Sequence, residues 1–535
     1  MLDMLIRGGT IVDGCGGVPY KGDLALQDGK IVAIAPSLEK TEAVQEIDAS
    51  GRIVAPGFVD IHRHADLAIL EPGFGEIELR QGITTIVNGN CGLSAVPCPN
   101  TYKEGILSAI SSLTGRLKDP SILPQTFSEY LNDLRACQLA LNVGMLVGNG
   151  TIRMAEMGFS NQPCTEKDLK RIASCLDKAL DEGALGVSMG LIYTPECHYT
   201  TQELLQVLQP TQKYQVPLVT HIRGEGDTSP QALKEVIYLA ETLDVPLHIS
   251  HLKRIGKRNW GIGLSQSLEI LSQARERGVR LSYDVYPYTA GSTQLIQILP
   301  PDFQQGTVDE IVKFLQSSQK RKQLKDVIYA GPSEKFDNIV DLVGWDGLII
   351  SSLHRPENQQ YVGLSLEAVA NLRGQEPLDC ACDLLVEEAC DITIIDHLAS
   401  EEDVKTILKD PISSLISDSL YAGGMPHPRL YGAFPRLLCQ YVRDESLLSL
   451  ETAIHKMTAL PAQVFQLQKG RIAPGADGDL TIFRLDRLTS PADYNHPQQL
   501  AGGFDYVIID GRIVVKDDQL TGEKPGRVIS RRKNR

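Results

Sequence analysis

No apolar run in the 535 residues is long enough to cross a membrane. The first residues, "MLDMLIRGGTIVDG", lack a basic n-region and a long apolar stretch, so no secretory leader is expected. Positive charge is scarce: 52 Lys and Arg stand against 67 Asp and Glu, a net charge of -15. A phosphate-binding face is usually basic, so nucleic acid is not expected as a partner. The basic cluster "SRRKNR" at the end of the chain is too short for a binding arm and reads as a frayed end. Eleven cysteines at irregular spacing form no disulfide framework, and a reducing, cytoplasmic home is expected. Of these, "CAC" at 380–382 reads as part of a helix rather than a metal site. No patch signals an oligomer interface.

What is present is an ordinary globular composition, 42% hydrophobic and 22% charged. The chain is too long for one core, so two or three lobes are expected. Short alternating strands with Gly-rich or Asp-Gly turns fill residues 1–55 and return after 478 ("GDLTIFRL", "FDYVIIDGRIVVKD", "GRVIS"). This texture predicts one small β-sandwich-type domain built from 1–55 and 478–535. Between them, eight apolar strands alternate with amphipathic helices: 57–64, 82–89, 141–150, 183–190, 216–223, 245–253, 279–288 and 411–418. Eight such units predict an α/β fold, a (β/α)8 TIM-like barrel over 56–430 with final barrel helices at 431–477. A doubly wound sheet competes, but no Gly-rich phosphate loop opens a helix after any strand. Too much chain separates strands seven and eight for one helix, which predicts an inserted subdomain over about 294–410.

Functional groups of such barrels sit at the C-terminal ends of the strands. There the sequence places His62 and His64, two apart on one strand face, then Cys91, His221, His251 and Asp418. Taken singly, each has a plain explanation: a solvent-facing histidine pair, a core thiol, a satisfied core histidine, a helix cap. Together they form a thiolate, imidazole and carboxylate set suited to Zn²⁺. His248, three residues before His251, faces the other way and reads as structural. Cys98, in "PCPN", reads as a loop thiol.

"PGFVDIHRHAD" resembles the PGFxDxHxHxD signature of the amidohydrolase superfamily. "QGITTIVNGNCGLSAVP", "GALGVSMGLIYTP", "THIRGE", "ISHLK", "YPYTAGST" and "HPRLYGAFPRLL" resemble the D-aminoacylase branch, the N-acyl-D-amino-acid deacylases, in the same order from about residue 4 to 527. The resemblance implies zinc-dependent hydrolysis of N-acyl-D-amino acids, small molecules, to a carboxylate and a free D-amino acid. Many amidohydrolases bridge two metals with a carboxylated lysine on strand four. "GALGVSMG" has none, and Cys91 matches the cysteine that replaces it in this branch. Cys91, His221 and His251 would hold one tight zinc, with His62, His64 and Asp418 lining a second, weaker position. Asp418 would serve as general base and then general acid.

By the same resemblance, Arg429 would bind the substrate carboxylate, for which a guanidinium is suited. Tyr283 and Ser292 would complete that clamp. Lys253 and Tyr193 map to pocket residues facing the side chain and the carbonyl oxygen, and Lys253 hints at an acidic side chain. Departures from the branch are Ser419 where glycine is usual, Asn149 where histidine is usual, and a longer insertion. Alternative readings are a dipeptidase acting on a C-terminal D-residue, a cyclic amidase of the dihydroorotase or hydantoinase type, and a metal-free scaffold.

Overall fold

The structure is a computed structural model that describes residues 2–38 and 41–531; residues 532–535, most of the basic cluster, lie outside the described residues. Eight parallel strands form a barrel. They are β1 (Phe58–Asp60, resuming at Arg63–His64), β2 (Ile83–Asn88), β3 (Asn142–Met145, resuming at Val147–Gly148) and β4 (Val187–Gly190). Then follow β5 (Leu218–His221), β6 (Leu247–Ile249), β7 (Leu281–Val285) and β8 (Ser413–Leu415, resuming at Ser419–Leu420). Each pairs with the next, and Ser419 and Leu420 pair with Arg63 and His64 to close the ring. The barrel expected from the alternation is therefore present. Strands covered on both faces run apolar and β-branched, as in the wholly buried "ITTIVN" of β2. The covering helices are amphipathic. Glu166–Glu182 starts in a capping box, with Thr165 accepting from the Asp168 amide, and buries Leu169, Ile172, Leu176 and Leu180 on one stripe.

Nine strands from both ends of the chain form a second sheet, one continuous sheet rather than two. Leu2–Ile11 pairs with Tyr20–Gln27 on one edge and with both Ala43–Asp48 and Ile53–Pro56 on the other. Ile53–Pro56 then pairs antiparallel with Leu480–Phe483, which joins the two ends. This sheet has its own core, including Met4, Leu24, Ile47, Leu480 and Ile508. Phe483 and Phe504 pack edge-on against Phe58 of β1, which ties the sheet to the barrel. The expectation that 478–535 belongs wholly to this sheet needs correcting. Val528–Ile529 leaves it and pairs parallel with β3 at Val143 and Gly144.

Between β7 and β8 stands a three-stranded antiparallel sheet, Ala290–Gln294, Thr393–His397 and Leu348–Ser352, with Thr393–His397 in the centre. Helices including Ser318–Ile328, Leu366–Arg373 and Pro377–Glu387 cover it around a separate core. Cys380 and Cys382 are buried in the last of these helices. The inserted sheet starts at 290 rather than 294, and helix Glu401–Lys409 packs Val404 and Leu408 into the barrel core instead. Among the described residues all eleven cysteines are free, and no helix is long and apolar enough to cross a membrane.

Candidate metal centre and active site

Alternation along β1 sends His62 and His64 to one side and Arg63 to the other. Arg63 is fully buried and donates to Asp60 (3.0 Å), Ser417 (3.2 Å), Glu78 (2.6 Å) and the Tyr421 hydroxyl (2.8 Å). The Ser417 amide donates to Asp60 (3.1 Å) and the Asp418 amide to the His62 carbonyl (2.9 Å). This network fixes the end of β8 against the end of β1, and with it Asp418 against the two histidines.

Cys91, His251 and Asp418 have φ of 53°, 37° and 50°, a left-handed conformation that costs a non-glycine residue about 1–3 kcal/mol. Each turns its side chain into the barrel mouth just beyond its strand. Ser419 is not among the positive-φ residues, so the missing glycine there removes no needed freedom. Cys91 leans over the end of β4, where a Cβ at Gly190 would collide with the Cys91 carbonyl. The space a strand-four side chain would need is therefore taken by the cysteine loop.

The expected six residues converge. Ligand atoms of His62, His64 and Cys91, of Cys91, His221 and His251, and of His62, His251 and Asp418 form three overlapping triads, each within 4.8 Å. Cys91 Sγ lies 3.3 Å from His62 Nε2 and 3.5 Å from His251 Nε2. Asp418 Oδ1 lies 3.3 Å from His62 Nε2 and 3.4 Å from His64 Nε2. His221 is buried, yet neither ring nitrogen makes a hydrogen bond, although Glu225 Oε2 is 3.5 Å from Nε2. Two unsatisfied imidazole nitrogens beside a thiol and two further rings fit a bound divalent cation.

Electrostatics point the same way. Burial opposes charge on Cys91, but His62 and the adjacent His221 and His251 imidazoles outweigh it and hold the thiol well below its ordinary value. Burial opposes charge on Asp418 too, and Arg429 and His62 outweigh it, so this carboxyl is ionised. Despite burial, Cys91 and Asp418 push the His62 imidazole well above its ordinary value. A cluster that draws protons onto buried histidines is one that calls for positive charge.

Sequence reasoning missed two acids behind the candidate ligands and a third that lines the cavity over them. Asp284 accepts from His248 Nε2 (2.8 Å) and from the His251 amide, and lies 3.7 Å from His62 Nδ1. His248, read as structural, thus fixes Asp284, which in turn holds the His251 backbone. Glu225 accepts from His251 Nδ1 (3.0 Å) and Lys253 Nζ (2.7 Å). The third, Asp396, lies in the inserted sheet. Their signal in the sequence was slight: Asp284 and Glu225 each stand within four residues of a strand end.

A model described as the amidohydrolase family matches residues 45–515. The chain belongs to the amidohydrolase family. It is 32% identical over 530 residues to the D-aminoacylase of Alcaligenes xylosoxydans xylosoxydans, covering 99% of this chain and 98% of that one. It is 32% identical over 532 residues to the N-acyl-D-glutamate deacylase of the same organism, covering 99% and 97%. A solved N-acyl-D-glutamate deacylase from Bordetella bronchiseptica, in complex with zinc and a phosphonate mimic of the tetrahedral intermediate, matches with a TM-score of 0.84. That match has 31% identity and covers 99% of both chains.

In this amidohydrolase a cavity of about 60 Å³ opens over the ligand set, lined by Tyr193, Lys253, Tyr286, Ser292, Asp396 and Arg429 among others. Four of the five predicted substrate residues are therefore at the site. Tyr193 stands edge-on to the His221 ring at 5.1 Å. Arg429 Nη1 is 3.0 Å from Asp418 Oδ2, and its guanidinium lies 4.6 Å from the centre of the Tyr286 ring. Ser292 lines the cavity but donates its hydroxyl to Ile394 O (2.8 Å), a cross-strand bond within the inserted sheet. Tyr283 is the correction. It precedes the inward Asp284 on β7, so it points outward, buried against Asp410 and Arg275 rather than in the cavity. Tyr286, past the strand end with its hydroxyl unpartnered, occupies the position expected of it. Asn149 opens helix Asn149–Met157 and donates to Glu196 (2.7 Å).

Proposed function

We propose that this amidohydrolase hydrolyses N-acyl-D-amino acids, releasing a carboxylate and a free D-amino acid. The observation that carries this reading is the thiolate-containing ligand set with no strand-four lysine, in a chain that matches D-amino-acid deacylases end to end. We assign one tight zinc to Cys91, His221 and His251 and a second, weaker position to His62, His64 and Asp418. Bound zinc supplies the Lewis acidity that polarises an amide carbonyl and activates water near neutral pH.

The chain's own residues do the rest. Arg429 receives the α-carboxylate: its Nε is buried without a hydrogen-bond partner, and a guanidinium pairs with both oxygens at once. Tyr286 and Tyr193 line the cavity and help to exclude bulk water from it. Asp418, ionised before substrate arrives, takes a proton from the attacking water as the C–O bond forms. It then gives that proton to the departing nitrogen as the C–N bond breaks, which leaves a neutral amine. The free thiols and the need for an ionised Cys91 favour a reducing compartment, the cytoplasm.

The decisive experiment is a panel of N-acetyl-D- and L-amino acids scored by amine released, with zinc-loaded protein and with protein stripped by a chelator. Hydrolysis of D-compounds, little of L-compounds, and loss on stripping that zinc restores are expected. Equal hydrolysis of both hands, or activity indifferent to the metal, would sink the reading.

A further inference from the structure

The inserted sheet places one acid in the cavity that the reaction leaves unused. Asp396 is 4% exposed and its Oδ1 makes no hydrogen bond. Across the antiparallel pair it faces Gly291. A Cβ at Gly291 would lie 2.7 Å from Asp396 Oδ1 and 3.4 Å from the Tyr286 hydroxyl, so glycine keeps a gap between two unpartnered polar atoms.

The nearby cations are already engaged. Lys253 Nζ lies 2.7 Å from Glu225 Oε1 and 2.9 Å from His251 Nδ1. Arg429 is held by Asp418 at 3.0 Å and is committed to the substrate α-carboxylate. The acidic side chain that Lys253 suggested would thus meet a cation already paired, with Asp396 beside it. We propose that Asp396 selects the substrate's side chain, accepting one that presents a hydrogen-bond donor, an amide or ammonium, and rejecting a carboxylate. This rests on the hydrolysis of N-acyl-D-amino acids proposed above. An ionised carboxylate only accepts hydrogen bonds. A second carboxylate would bring like charge and no donor, whereas a site built to bond a donor rejects the analogue lacking it.

Four groups set when Asp396 is ionised. Burial pushes its carboxyl up to about 6, Lys253 (after β6) and Arg429 (after β8) restrain the rise, and Glu225 (after β5) adds to it. Tyr286, after β7, faces it as a neutral hydroxyl. Above this range Asp396 is an acceptor only; below it a protonated Asp396 can donate to a carboxylate, and the rejection fades.

The test is kcat/KM of the zinc-loaded full chain for N-acetyl-D-glutamine and N-acetyl-D-glutamate, which match in shape. Near pH 8 the glutamine compound is expected to be favoured at least about tenfold. The ratio should shrink toward about pH 5.5, and Asp396→Asn should bring it to within about threefold of unity. A wild-type ratio at or below one, or a ratio that Asp396→Asn leaves unmoved, overturns the proposal. Should the variant fail to fold, the wild-type ratio decides alone, and a flat pH dependence overturns it. Turnover of neither compound, nor of any D-compound in the wider panel, sinks the hydrolysis reading and takes this inference with it; turnover without discrimination sinks this inference only.

Discussion

A carboxylate can take a proton at neutral pH only if it has already lost its own, and Arg429 and His62 ensure this for Asp418. Asp418→Asn is expected to lower kcat by about 10²–10⁴ while metal content, read by atomic emission, stays near wild type. A variant within tenfold of the parent rate would refute the proton-transfer role. Cys91→Ser exchanges a thiolate for a hydroxyl that stays protonated, and should lose the tight zinc on dialysis. The tyrosine within β7 and the one just past its end make a sharper pair. Tyr286→Phe should raise KM, because its hydroxyl lies in the cavity, whereas Tyr283→Phe should leave KM within about twofold because that ring faces Asp410. The convergence of the six candidate ligands was legible because each lies at or just past a strand end, and strand ends share one face of the barrel. Tyr283 was misassigned by resemblance to a motif, although its parity with Asp284 already argued that both could not point inward. Asp396 was not legible at all, since nothing local indicates that residue 396 lies over the barrel.

Arg63 fastens β1 to β8 from behind the ligands, and all its partners are inside the protein. Arg63→Met should leave Asp60 and Glu78 buried without their cation and cost about 3–5 kcal/mol, measurable as a lower denaturant midpoint. A loss below about 1 kcal/mol would show that the acids find other partners or take up protons cheaply. At this scale the eight strands were readable because a strand covered on both faces must be apolar throughout, and the intervening helices show their stripe. Val528–Ile529 escaped because two apolar residues carry no period; their texture matched the terminal sheet while their partner is β3. The start of the insertion slipped for a similar reason: Ala290–Gln294 continues past β7 without a break in composition but pairs with a strand a hundred residues later.

Across the whole molecule, two lobes are stitched by segments remote in sequence: the terminal sheet by Ile53–Pro56 on Leu480–Phe483, and the barrel wall by Val528–Ile529 on β3. Ending the chain after residue 525 removes the latter contact, together with the Arg527 carbonyl that accepts from the Val143 amide. Such a truncation should shorten the half-life of activity at a fixed elevated temperature, the appropriate measure for a large protein whose unfolding is generally irreversible; an unchanged half-life would mean that β3 needs no neighbour there. The pairing of Ile53–Pro56 with Leu480–Phe483 also bears on biosynthesis. At ordinary elongation rates the first of these strands leaves the ribosome on the order of tens of seconds before its mate is made. The nascent amino-terminal segment must wait with one edge open, guarded by its own hairpin or by a chaperone, and this lobe can be finished only after translation has passed residue 483.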